Sequence, residues 1–260
     1  MTGPVDPAAG TVDPAAGTAA LLMLADGRFP AGGHAHSGGL EAAVVAGRVS
    51  DPGTLEAFLR GRVATSGATA AAFAAAACAA FGGLPEAETG SFGGLPEAET
   101  GVVGEGRLGA LDTEFEARTP APALRATSRK LGRQLLRTAR AIGPHPLLDA
   151  LAAALPGGPH QPVALGAAAG ALRLGPYAAA AAALHDAATG AATAAVRMAG
   201  LDPFAVHAVL ARLASDLDRL AAAATGHADA PAAELPAYGA PSLDISAELH
   251  ATWEVRLFAS

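Results

Sequence analysis

The sequence predicts an all-helical protein, and three observations carry that prediction. Alanine dominates a chain of 260 residues in which 51% are hydrophobic and only 4% aromatic, and alanine is the strongest helix former. No alternating apolar and polar runs flanked by hairpin turns occur, so a sheet has nothing to be built from. Asp51-Pro52 and Asp202-Pro203 each place an N-cap residue before a proline at the first helical position, which is a helix-start signal. The expected architecture is a single bundle of about eight to ten helices, with a flexible N-terminus and a linker-tethered C-terminal tail.

The first helix lies in "TAALLMLADGRF" and ends at the Asp26-Gly27 turn. The second begins around Ser37 as N-cap, with Glu41 in the first turn, where the helix dipole favours an acid. Asp51-Pro52 opens a long helix to about Phe81. Helices follow near 107–118, 123–142, 146–155, 162–174, 176–198 and 203–225. Gly166 and Gly170 put two flat spots on one face of their helix and allow another helix close approach. "VDPAAGT" is duplicated at 5–11 and 12–18, and "FGGLPEAETG" at 81–90 and 92–101. Both duplications are rich in Pro, Gly or acidic residues, the composition of mobile segments. The expected boundaries are therefore a disordered tail over 1–17, a helical domain over 18–225 with a low-complexity loop insertion at 81–104, a linker over 226–240, and a docking segment over 241–260.

Composition excludes several classes. A net charge of −7 argues against a chain built to hold nucleic acid, because phosphate binding draws on Lys and Arg. The single cysteine, Cys78, permits no internal disulfide and no cysteine metal cluster. The N-terminus lacks a basic start and an apolar core, so no secretory signal is expected. The uncharged stretch 63–85 is made of Ala, Gly, Ser and Thr, which reads as a tightly packed buried helix rather than a membrane span. A cytoplasmic protein is the expectation.

Catalytic motifs are few. "GEGRLG" at 104–109 fits G-x-G-x-x-G, but no buried strand precedes it, and no P-loop lysine motif or G-x-S-x-G elbow occurs. His185, Asp186 and His207 lie within helices and read as surface or core residues. His34 and His36 are a close pair that could share nickel or zinc, yet two ligands alone hold a metal weakly. In "ALRATSRKLGRQLLRTARAI", Arg125, Arg129, Arg133 and Arg137 recur every four residues, forming one slanted stripe. With Lys130 and Arg140, six of the 17 basic residues fall within sixteen positions. Leu131, Leu135 and Ile142 fall on another side and can face the core. The stripe is either a solvated face or an electropositive strip for an acidic partner or its bound nucleotide. The tail carries the only tryptophan, Trp253, with Leu243, Ile245, Leu249, Val255, Leu257 and Phe258. Such apolar density at a chain end implies docking, on its own core or on a partner.

Two stretches, "LLMLADGRFPAGGHAHSGGLEAAV" and "SLDISAELHATWEVRLFAS", resemble the urease accessory protein F (UreF) family. Phe29, Pro30, Gly32, Gly33, His36, Ser37, Gly39, Leu40 and Glu41 fit its first motif. Leu243, Asp244, Ile245, His250, Arg256, Leu257, Phe258 and Ser260 fit its last. The resemblance implies an all-helical, non-enzymatic, cofactor-free cytoplasmic protein, a homodimer, that assists nickel insertion into apo-urease. It implies partnership with the accessory protein UreD (also called UreH) and the GTPase UreG, with possible modulation of GTP hydrolysis. The tail would dock on UreD/UreH. The Phe29–Glu41 turn, with Arg125, Arg129 and Arg133, would face the GTPase. The alternative is a nickel-binding metallochaperone using His34 and His36.

Overall fold

The computed structural model describes residues 17–81 and 97–259, and those residues are all-helical with no strand among them. In chain order the helices are α1 (Thr18–Ala25), α2 (Leu40–Val45), α3 (Pro52–Arg62), α4 (Ala68–Ala79), α5 (Glu97–Ala117), α6 (Pro122–Ile142), α7 (Pro146–Ala154), α8 (Gln161–Ala171), α9 (Pro176–Ala199), α10 (Pro203–Thr225) and α11 (Pro241–Ala251). Helices α3 and α4 run on through one π-helical turn, Val63–Gly67, so the eight-to-ten estimate is met when they are taken as one.

Helix starts follow the local chemistry. Proline occupies an opening position in α3, α6, α7, α8, α9, α10 and α11. Asp51 and Thr54 form a reciprocal capping box, and Asp202 accepts from the N–H groups of Phe204 and Ala205. Such bonds satisfy amide groups that a helix end otherwise leaves unpaired.

The alanine-rich helix is the centre of the bundle. Ala71 to Ala77 on α4 are fully buried, as expected of a helix enclosed on every side. Helices α8 and α9 pack against it most closely. A Cβ at Gly166 would lie 2.2 Å from the Ala74 carbonyl oxygen, and one at Gly170 would lie 2.7 Å from the Phe81 ring. The two flat spots therefore bring α8 onto α4 and the turn after it. A second cluster joins Leu40, Leu55 and Leu59 to α9, to Val206, Val209 and Leu213 on α10, and to Phe258 of the tail. Among the described residues no helix is long and apolar enough to cross a membrane.

Five local expectations need correction. Helix α2 starts at Leu40, not Ser37, because Gly38 and Gly39 adopt φ of +63° and +87° and turn the chain before the helix begins. Ser37 nevertheless accepts from the Glu41 N–H at 3.2 Å. Helix α5 begins at Glu97, inside the expected 81–104 insertion. Residues 82–96 and the 1–16 part of the expected N-terminal tail lie outside the described residues. The 226–240 segment is packed rather than free. Arg107 donates to the carbonyls of Ala228 and Ala230, Arg118 donates to those of Ala233 and Leu235, and the Leu235 side chain is buried. Ile142, expected to face the core, is exposed at the last position of α6. The π turn also interrupts what the pattern reads as one helix. There Thr65 bonds the Gly61 carbonyl, a side-chain bond that competes with the helix ladder.

Candidate partner-binding site

Two sequence motifs separated by about two hundred residues meet in space, and the residue that joins them is Glu41. Its carboxylate is 3% exposed. Oε2 accepts from His250 Nε2 at 2.9 Å and from the Phe258 N–H at 3.0 Å, while Oε1 accepts from the Leu257 N–H at 2.8 Å. Burial alone would raise this carboxyl. The Leu257 N–H, the His250 ring and the Phe258 N–H outweigh it and hold the group below the usual carboxylate range. The acid that the sequence places at a helix dipole is thus the anchor for the C-terminus.

Neighbouring residues complete the clasp. The Ala259 N–H donates to the Ala35 carbonyl at 2.8 Å, and Arg48 Nη2 donates to Ser246 at 3.0 Å. Glu248 accepts from the Ala123 N–H at the start of α6. A Cβ on Gly39 would come within 3.1 Å of Leu243, so the glycine lets α11 approach. Phe258 is buried with the Arg197 guanidinium 5.1 Å from its ring centroid, a favourable stacking of cation on aromatic face. The Trp253 ring packs 4.8 Å from that of His250.

The tail touches the body with one side only. Ser246 and His250 are buried, whereas Ile245 is 62% and Leu249 59% exposed, and Val255 and Leu257 are more exposed still. Ile245 and Leu249, one helical turn apart, form a shared apolar face. Asp244 is partly buried and its carboxyl is pushed up, chiefly by burial. Arg256 is exposed, and Ser260 lies outside the described residues.

The Phe29–Glu41 stretch is divided in role. Phe29 packs against the main core, and the exposed Pro30 offers its carbonyl to Gln134 and Thr138 of α6. Ser37, Leu40 and Glu41 are buried, so these three do not form an exposed surface in the docked state. Gly33 and His34 lie on a short 3₁₀ turn with His34 exposed. His36 is partly buried, and burial, aided by Lys130, lowers its pKa. Among the described residues no group of three or more His, Cys, Asp or Glu side chains could hold a metal ion.

The arginine stripe is likewise not uniform. Arg125 donates to the carbonyls of Thr119 and Pro120, and Arg133 to that of Gly157. Arg129 reaches inward. It pairs with the buried Asp112 at 2.9 Å, with Glu116, and with the Gly158 carbonyl at 2.8 Å. Asp112 also accepts from the backbone N–H of His160 at 2.6 Å. Arg129 is therefore a bolt between α5, α6 and the approach to α8, a role its regular spacing in the sequence does not reveal.

The UreF family model matches residues 49–214. A urease accessory protein UreF from Mycolicibacterium vanbaalenii is 42% identical, over 93% of this chain and 98% of its own. One from Mycobacterium marinum is 40% identical over the same shares. One from Mycobacterium tuberculosis is 36% identical, over 89% of this chain and 93% of its own. With the likeness running nearly end to end on an all-helical fold, this chain belongs to the UreF family of urease accessory proteins.

Proposed function

We propose that this protein is a non-catalytic scaffold for nickel insertion into apo-urease, working in the cytoplasm as a homodimer with UreD/UreH and the GTPase UreG. Family membership supports the accessory role. The observation that carries the docking role is the bare side of the tail. Helix α11 is held to the body through Glu41, Ser246 and Glu248, yet Ile245 and Leu249 face outward, each more than half exposed. Exposed neighbouring apolar side chains on a fixed helix are suited to a partner's hydrophobic surface. The tail from Leu243 to Phe258 is assigned to UreD/UreH. The GTPase side is assigned to the accessible part of the Phe29–Glu41 turn and the outer arginines of α6, Arg133 among them.

Co-purification of a UreD/UreH homologue with the full chain tests the tail assignment. Ile245→Asp with Leu249→Asp alters only exposed positions, so the fold is retained and partner recovery falls at least tenfold. Equal recovery with the double variant would refute the assignment. Deleting 241–260 is a poorer test, because it also removes Phe258 from the second core cluster.

A further inference from the structure

Beneath α11 lies a cleft of about 660 Å³, within the usual ~300–1,000 Å³ of small-ligand sites. Its walls come from α6, the π turn, α9 and the 237–251 segment. Much of the lining is alanine and glycine, with Phe115, Leu131 and Leu243 adding apolar surface. Gly33, His36, Gly39, Asp244, His250 and Arg256 of the two UreF-like motifs also line it.

Arg62 is the group that gives it chemistry. The π turn starts immediately after this residue. Its guanidinium is fixed by two backbone carbonyls: Nη1 donates to Gly38 at 2.6 Å and Nε to Ala187 at 3.0 Å. Gly38 makes room for it, since a Cβ there would lie 2.9 Å from both Cζ and Nη2. Among the described residues Nη2 makes no hydrogen bond and Arg62 makes no ion pair. A guanidinium held in place with unused N–H groups is a preorganised carboxylate receptor.

Arg62, Arg118 and Arg256 line the cleft together with two acids, Asp186 and Asp244, and Arg118 is already paired with Glu114. Gln161 donates to Asp186 at 3.2 Å. Burial pushes the carboxyls of both acids upward, while the charge of Arg62 draws that of Asp186 down.

We propose that the cleft binds a carboxylate carried on an apolar stem, the carboxylate accepting from the open edge of Arg62 and the stem lying along the alanine-rich wall. The carboxylate belongs either to a small aliphatic acid or to a glutamate side chain of a partner. The tail supplies part of the lining, but Ile245 and Leu249, the exposed side chains that carry its proposed role on UreD/UreH, are not among the lining residues.

Calorimetric titration of the full chain at neutral pH tests it, with octanoate as the charged probe and octanamide as its neutral counterpart. Octanoate binds one site per chain at least tenfold more tightly than octanamide. Arg62→Met brings octanoate to the octanamide level, and Thr127→Phe, which adds bulk to the α6 wall of the cleft, weakens both at least tenfold. Acetyl-Ala-Leu-Glu-Leu-Ala-amide, set against its Gln counterpart, separates the two sources. A Glu peptide binding more tightly than octanoate assigns the site to a partner's side chain, and the reverse order assigns it to a free acid. Equal affinities for octanoate and octanamide in the unaltered chain overturn the proposal, as does octanoate binding unchanged by Thr127→Phe. Those two results decide the matter even where Arg62→Met does not fold.

Discussion

Replacing Glu41 with Gln should release the C-terminal clasp while leaving the bundle intact. The carboxylate accepts three hydrogen bonds, from His250, Leu257 and Phe258. Glutamine keeps one acceptor oxygen and turns an amide N–H toward at least one of those donors. Hydrogen bonds to a charged group are worth about 1.5–3 kcal/mol each, and a buried donor left without an acceptor adds its own cost. Because the side chain is almost fully buried, the tail should lose about 2–3 kcal/mol of local stability. That corresponds to about 30- to 150-fold faster amide exchange. Hydrogen exchange read on peptides covering 250–259 and 68–79 measures both ends of the claim. The tail peptide should exchange faster by that factor, while the α4 peptide changes by less than about threefold, as a separate opening unit would. Unchanged tail exchange would show that Glu41 does not hold the C-terminus. Equal acceleration of both peptides would show that the tail does not open as a unit of its own.

Arg129→Met strips the cation from Asp112, whose side chain is almost fully buried, and should lower stability by about 3 kcal/mol as a broken buried pair does. Arg133→Met, exposed and bonded to one carbonyl, should change it by less than about 0.5 kcal/mol, with urea unfolding midpoints separating the two. Gly132→Ala would place a Cβ 2.0 Å from the Pro159 carbonyl oxygen, whereas one at Gly109 meets nothing within 4 Å. The first should cost about 2 kcal/mol or more and the second should be neutral or stabilise α5 by up to about 1 kcal/mol, judged by thermal melts. Acid should also loosen the clasp. The Glu41 carboxyl is lower in the folded chain than its free value of 4.5, so its contribution is complete above that pH and is lost as pH falls through the folded value. Emission of Trp253, the only tryptophan, should stay constant on going from pH 7 to about 5 and change below that. The same acid transition persisting in Glu41→Gln would assign it to another group.

The helices were legible because their signals are local. Asp51-Pro52 and Asp202-Pro203 act on their own first turns, and the alanine content of α4 needs no partner to be read. The clasp was not legible, because a single residue obeyed two rules at once. Glu41 satisfies the preference for an acid near a helix start, and that satisfied rule hides its bonds to residues more than two hundred positions away. Arg129 has the same spacing as Arg125 and Arg133, and only the approach of Asp112 and Glu116 on α5 separates it from them. The 226–240 segment has the composition of a free linker. Its carbonyls are captured by Arg107 and Arg118, which give no sequence sign of doing so. Thr65 and Ser66, hydroxyl residues inside a helical run, were the one available hint of the π turn, and a hydroxyl pair alone does not distinguish a π turn from an exposed helix face.

The meeting of the two motifs has a consequence for how partners on either side of the protein could influence each other. Glu41 holds Leu257 and Phe258, and Ala35 accepts from Ala259, so the turn assigned to the GTPase and the tail assigned to UreD/UreH share one set of bonds. Arg62 ties the same turn to α9 through Gly38 and Ala187. A protein that moves the turn must alter the acceptors of the tail, and one that pulls on the tail must reorient Glu41. Coupling of this kind is reciprocal in binding free energy. If the two assignments hold, Glu41→Gln should therefore reduce the dependence of one partner's affinity on the other, even where each partner alone still binds.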